Sequence, residues 1–379
     1  MSRRLKIVVC GVLILSFFML TACSESGRTN AEDTDETVST TKITITTKPV
    51  TTAQTTKEET TEKETTKEET TVEVTTTEEE KPFSDDLFVL PEDGQRPIAV
   101  VIDNEGSTVL PQGGPGLAQI VYEFIVEGGI SRIMPIYWGL DIEYLGPVRS
   151  ARHYMLDYMK EYDAFFVHFG WSPQAKSDIS DYGVQIANGV SNAYDIFWDI
   201  TKNKNNWQDT YTNSSNIKKM MNRNKYSTET KVNMSERYVE EWRIPEEGAV
   251  CEQISIRYSS GYRIGYGYNP QTGLYDKTRQ GQPHMERNNG EQIQAGNIII
   301  MRVKNYTIKG DTEGRQHLET AGSGKGYYVT SGKVIEINWS KETRFAMTRF
   351  TDSNGDEIRL NPARTWIQVV PLDATIELG

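Results

Sequence analysis

The chain predicts an α+β head, in which a mixed-sheet N-terminal part with flanking helices and a mostly β C-terminal part pack into one body. Three observations carry that prediction. Composition changes near Pro82, where aromatic residues begin and threonine thins. Short buried runs then alternate with a helical period as far as about residue 187. From about Cys251 onward the pattern is mostly that of strands. Helices place apolar residues three and four apart, strands every second residue, so the two periods separate the two parts. The boundaries that follow are 1–22, 23–81, 82–249 and 250–379.

Residues 1–22 read as a lipoprotein signal. Arg3, Arg4 and Lys6 precede an uncharged stretch from Ile7 to Leu20, which is followed by Leu20-Thr21-Ala22-Cys23. A basic end, a short apolar core and small residues before the cut describe secretion. A plain signal peptide or an uncleaved anchor would share the apolar core. The stretch is shorter than the roughly 20 residues of a spanning helix, and neither alternative calls for cysteine at the first mature position. The ending resembles a bacterial lipobox, which implies cleavage before Cys23 and a lipid on its sulfur. Ser24 rather than aspartate follows, so nothing suggests retention at an inner membrane. Residues 24–81 are nearly all Thr, Glu, Lys and Ser, contain no aromatic residue, and repeat Thr-Thr-Lys-Glu-Glu-Thr-Thr at 55–61 and 65–71. Such a segment buries too little apolar surface to offset chain entropy. It predicts a disordered tether with a reach of roughly 45 Å.

Within the head, Arg96 to Asp103 reads as a buried strand ending on an acid. Ala118 to Val126 and Ile130 to Trp138 read as a hairpin around Gly128-Gly129. The spacing of Tyr154, Met155, Tyr158, Met159 and Tyr162 predicts a helix over 149–162. Ala164 to His168 reads as a short strand, and Ser172-Pro173 as a cap and first turn of a second helix. A polar excursion over 187–248 carries one predicted helix at 235–242. The later segments Ile254 to Tyr268, Asn297 to Val303, Gly326 to Val329, Lys333 to Trp339 and Thr365 to Val370 predict strands. Gly322 to Gly326 and Asn354-Gly355 predict turns.

Charge and cysteine usage bound the function. The net charge of −12 divides as +3 for residues 1–23, −8 for 24–81 and −7 for 82–379. No folded segment is basic, which argues against a nucleic-acid partner. Cys251 is the one cysteine of the head and predicts a small buried hydrophobe; neither a disulfide nor a cysteine-built zinc site can form there. No cofactor or metal is called for.

Three clusters could carry chemistry. In Gly146-Pro-Val-Arg149-Ser150-Ala-Arg152 the predicted helix start holds two arginines three apart. Cations oppose the dipole at a helix N-terminus, so the pair suggests a bound anion or buried acid partners among Asp103, Glu123 and Glu127. In His168-Phe-Gly170-Trp-Ser172, a strand end meets a helix start; His168 and Ser172 could join the arginines or be structural. The acids Asp103, Glu123 and Glu127, with Arg132 after the Gly-Gly turn, could act in glycan cleavage or be structural ion-pair partners. His284 and His317 stand isolated, and Trp339 and Trp366 read as core.

The head resembles the YerB-like bacterial lipoproteins, known mainly as a domain of unknown function, over about residues 93–375. The motifs are Arg96-Pro-Ile-Ala-Val-Val-Ile-Asp-Asn104, Ile120-Val-Tyr-Glu123, Glu127-Gly-Gly-Ile-Ser-Arg132, Gly146-Pro-Val-Arg-Ser-Ala-Arg152, Asp163 to His168, Gly281-Gln-Pro-His284, Gly322-Ser-Gly-Lys325 and Asn361-Pro-Ala-Arg-Thr-Trp366. The resemblance implies two α+β parts in one head and a membrane-tethered exterior location, with no settled activity. Relatives tend to carry Pro-His-Asn where this chain has Trp207-Gln208-Asp209. The reading that follows is a cell-envelope accessory lipoprotein. It would be anchored through Cys23 at the extracellular face and bind an anionic ligand or wall polymer through Arg132, Arg149, Ser150, Arg152, His168 and Ser172. A hydrolase or transferase of wall polymer, using Asp103, Glu123, Glu127 or His168, and a scaffold for another membrane protein are the alternatives.

Overall fold

The computed structural model describes residues 83–139, 141–203, 206 and 208–379. The signal, Cys23 and the tether lie outside them. The strands that frame the site are β1 (Ile98–Val100), β2 (Ile120–Ile125), β3 (Ser131–Tyr137), β4 (Phe165–His168) and β5 (Ile186–Asn188). From the C-terminal part come β6 (Gln253–Ser259), β7 (Tyr262–Asn269), β8 (Leu274–Arg279), β9 (Asn297–Val303), β10 (Gly322–Thr330), β11 (Lys333–Lys341), β12 (Arg349–Thr351), β13 (Thr365–Pro371) and β14 (Thr375–Leu378). The helices are α1 (His153–Met159), α2 (Pro173–Asp181) and α3 (Ser214–Arg223). None of the described helices is long and apolar enough to cross a membrane.

One sheet runs through both parts in the order β12-β11-β10-β9-β13-β2-β3-β1-β4-β5, with Ala249–Val250 added on β11. The joint is β13, parallel both to β9 and to β2. At the far end β1, β4 and β5 are parallel, with α1 leading into β4 and α2 joining β4 to β5. A second sheet, Gln282–Pro283-β8-β7-β6-β14 with Gln294–Ala295 on β8, covers one face of the first. Alternation along β2 makes the sandwich. Tyr122 and Phe124 meet Tyr158 at ring-centroid distances of 4.9 and 5.3 Å on the α1 side. Glu123 between them points to the second sheet, where Tyr262 and Lys277 contact it. Successive strand residues face opposite sides, so this register buries the acid.

The Gly-Gly hairpin forms as predicted: β2 and β3 are antiparallel, and Gly128 and Gly129 both have positive φ. Ser172 caps α2, its Oγ accepting from the Ala175 N–H at 3.1 Å. Cys251 is buried, and burial pushes its thiol up to about 11.

Four expectations are corrected. The helix predicted over 149–162 begins only at His153. Arg152 is its extended N-cap, and residues 149–152 lie between the ends of β1 and β4 as a strand would. Arg149 N–H donates to Val101 O at 2.8 Å, Phe169 N–H to Arg149 O at 3.0 Å and Ala151 N–H to Gly170 O at 3.0 Å. Those bonds use the groups a first helical turn would need, so the dipole argument for the two arginines falls. The predicted helix at 235–242 is one short turn at Ser235–Arg237. The excursion's helix is instead α3, capped by Asn213 and burying Ile217, Met220 and Met221. Gly322 to Gly326 is the start of β10 rather than a turn, because each residue pairs with β11.

Candidate functional site

The end of β1, the β2–β3 turn with the start of β3, and the segment before α1 bring three arginines and two acids together. Asp103 is fully buried, and Arg149 Nε lies 3.1 Å from its Oδ2. Glu127, in the Gly-Gly turn, takes both Arg152 Nε, at 3.0 Å, and Arg152 Nη2. Arg132, 2 % exposed, lies between them. Its Nη1 donates to Ser150 O at 2.8 Å, its Nη2 is 3.8 Å from Glu127, and its buried Nε has no hydrogen-bond partner. Arg152 Nη1 donates to the same Ser150 carbonyl at 3.3 Å.

Among the described residues, three guanidinium groups therefore share two carboxylates, a surplus of one positive charge. Burial, followed by the fields of Arg152 and Arg149, pulls Arg132 down to about 10 against the opposing pull of Asp103 and Glu127. Burial alone would raise Glu127, but Arg152 outweighs it and holds the carboxyl below the usual range. Such a site lacks negative charge. Arg149 is its opening, with 26 % of its side chain exposed.

His168 lies at the end of β4 behind this cluster, fully buried. Its Nδ1 is 2.7 Å from Gly170 O, and its Nε2 has no partner. Burial pulls its imidazole down to about 4 despite that bond, so the ring is neutral at pH 7. Ser150 contributes its carbonyl to the arginines and its hydroxyl to Phe169 O at 3.0 Å. Ser172 is spent as the cap of α2 and is buried. Gln208 donates to Asp103 Oδ2 at 3.3 Å and to Glu105 O at 3.1 Å.

Glu123 is not in this cluster. It belongs to a second polar centre between the two sheets, joined to the first through the neighbours Asp103 and Asn104. Ser131 and Tyr262 donate to Glu123 Oε1 at 2.7 Å each and Asn104 at 3.3 Å, while Lys277 Nζ lies 3.2 Å from Oε2. Both ends of the ion pair are fully buried. Burial would raise Glu123, but Lys277 and these hydrogen bonds outweigh it and leave it lowered. Burial lowers Lys277, whose ammonium also lies 4.7 Å from the Trp366 ring centre. Arg279 grips Asn104 through Oδ1 at 2.8 Å and the backbone carbonyl at 2.7 Å. His284 is not isolated: its Nε2 is 2.6 Å from Gln112 Oε1. Nor is His317, whose Nδ1 is 2.9 Å from His153 Nε2 beside α1. Among the described residues no group of three or more His, Cys, Asp or Glu is placed to hold a metal ion.

Sequence reasoning missed Asn104, Lys277, Arg279 and His284 as site members. A signal existed for two. Tyr275, Lys277 and Arg279 share one face of β8, and Tyr275 on that face is buried, so a charge there needs a buried partner.

These features define a two-part α+β head with one continuous sheet and buried ionic centres along it. The chain belongs to the family described as protein of unknown function (DUF3048), whose N-terminal domain matches residues 89–227 and whose C-terminal domain matches 254–367. It is 30 % identical over 288 residues to a Bacillus subtilis (strain 168) protein called "Putative lipoprotein YerB", covering 74 % of this chain and 83 % of that one. The crystal structure of the YerB protein from Bacillus subtilis is similar, with a TM-score of 0.66 at 28 % identity over 77 % of this chain and 98 % of that one.

Proposed function

We propose that this chain is a lipid-anchored envelope protein whose head binds an anionic ligand at Arg132, Arg149 and Arg152. The observation that supports it is the surplus positive charge, part of it buried in Arg132 and partly open at Arg149. Buried cations are normally matched, and an anion at the exposed edge of the cluster, where Arg149 already holds Asp103, would balance the surplus on the three arginines. The lipobox at Cys23 would place that ligand at the outer membrane face or in the wall within tether reach. The hydrolase alternative has less support. Glu123 and Glu127 both sit below the usual carboxylate range, and glycan cleavage needs one carboxyl that keeps its proton.

Binding of the full chain, held in detergent micelles, to isolated wall fractions tests the reading. Arg149→Ala with Arg152→Ala is expected to abolish binding while the circular dichroism spectrum is kept. Unchanged binding in that folded variant rejects it.

A further inference from the structure

The arginine cluster opens onto the carboxyl ends of β1, β4 and β5, the position where open parallel sheets bind ligands. Three loops leave there: the one carrying Asp103, the Phe169–Ser172 turn, and the segment from Gly189 to Phe197. The last two form an aromatic rim. Ala151 bridges to Trp171, and Phe169 N–H bonds to Arg149 O, so the rim is continuous with the arginine segment. Phe169 meets Phe197 edge-on at 5.5 Å, and both are partly exposed. Val190 and Tyr194 are 57 % and 77 % exposed. Lys176 of α2 adds a cation 5.8 Å from the Trp171 ring centre.

Under the rim, His168 and Asn188 are register partners on β4 and β5. With His168 Nδ1 facing the Gly170 carbonyl as donor, Nε2 of the neutral ring is a buried acceptor without a donor. Asn188 Oδ1 takes the N–H groups of Gly170 and Val190, and its Nδ2 is a buried donor without an acceptor. A hydroxyl is the kind of group that suits such a pair, since it donates and accepts.

We propose that the ligand is a phosphodiester-linked polymer bearing sugar rings, with its phosphate on Arg149, a ring on the Phe169–Trp171 rim and a hydroxyl reaching His168 and Asn188. This rests on the anion reading above and names its ligand class. A sugar-phosphate polymer complements the three features the site offers: negative charge for the arginines, a ring face for the aromatic rim, and hydroxyls for the unpartnered buried groups. A bilayer suits it less, because Val190 and Tyr194 are interrupted by exposed Ser191 and Asn192 rather than forming one apolar face.

Calorimetric titration of the full chain in micelles tests it with four probes: glucosylated poly(glycerol phosphate), the bare polymer, inorganic phosphate, and phosphatidylglycerol vesicles. The glucosylated polymer is expected to bind at least fivefold tighter than the bare one. Arg149→Ala should weaken both polymers at least tenfold, and Trp171→Leu should erase the difference between them. Tyr194→Ser, fully compatible with folding at an exposed position, should narrow that difference, and Val250→Ser, 69 % exposed on the strand added to β11 at the other end of the sheet, should change nothing. If Arg149→Ala weakens binding but Trp171→Leu and Tyr194→Ser leave the glucose preference intact, the sugar inference is overturned and the anion reading survives. Binding of no probe, or binding indifferent to Arg149→Ala, overturns both. Binding confined to vesicles overturns the polymer in favour of the membrane surface.

Discussion

Replacing Lys277 by Met removes one half of a fully buried ion pair and is expected to cost the head about 3 kcal/mol at pH 8. Breaking such pairs from one side typically costs ~3–5 kcal/mol, because the remaining charge is stranded. The lower end applies here. Ser131, Tyr262 and Asn104 still donate to Glu123, and methionine keeps the contact of the lysine stem with Trp366. At roughly 2–4 °C per kcal/mol for a large domain, the melting midpoint should fall by about 6–12 °C. Tryptophan fluorescence reads this directly, since Trp366 lies against Lys277. The pH dependence gives the sharper test. In the native protein the Glu123 carboxyl is lowered, so its stabilisation is complete above the ordinary carboxylate range and is lost as pH falls through its folded value. Without Lys277, burial dominates and the folded carboxyl rises above its unfolded value. Its contribution is then present at low pH and is lost as pH rises. The gap between the native protein and the variant should therefore narrow from pH 8 to pH 5. Adding Glu123→Gln should recover more than half of the loss by removing the stranded charge. A loss below about 1 kcal/mol, or one equal at both pH values, would refute the claim that this pair is ionised and buried.

Further outcomes follow from single groups. His168 is fully buried and pulled down to about 4, and burial also pulls His153 down to about 4. Both contribute stability at neutral pH that is lost as pH falls from the ordinary histidine range toward 4, up to about 3 kcal/mol for His168. Urea unfolding of His168→Gln should show a flatter acid limb than the native protein; an unchanged limb contradicts the neutral buried ring. Cys251, fully buried and pushed up to about 11, should resist thiol reagents in the native state and react within seconds in denaturant; rapid native labelling would contradict its placement. Cys23→Ser should move the protein from the membrane fraction to the soluble one, and retention would contradict the lipobox reading.

Legibility followed the range of the interactions. Ser172-Pro173 announced α2 because a cap and its helix are neighbours in sequence. Gly128-Gly129 announced the hairpin because its turn needs two residues of positive φ in a row. The arginines of 149–152 misled for the opposite reason. Their periodicity continues smoothly into α1, yet their backbone groups are taken by Val101 and Gly170, partners that only tertiary folding supplies. Lys277 was overlooked because its meaning depends on Glu123, which lies far away in the chain and on another sheet.

The sequence by itself carries the lipobox-like start, the change of composition near Pro82, and the two periods of the parts that follow. Each of these is written in local composition or in spacing along one segment. Only the tertiary structure decided that both parts share one sheet, that Asp103 meets Arg149 and Glu127 meets Arg152, and that Arg132 is left with charge to spare. Those pairings depend on residues 149–152 lying between the ends of β1 and β4, where Arg149 bonds to Val101 and Phe169 and Ala151 to Gly170, contacts that only the folded chain makes. Electrostatic matching is a property of distances in space, and no spacing along the chain fixes them.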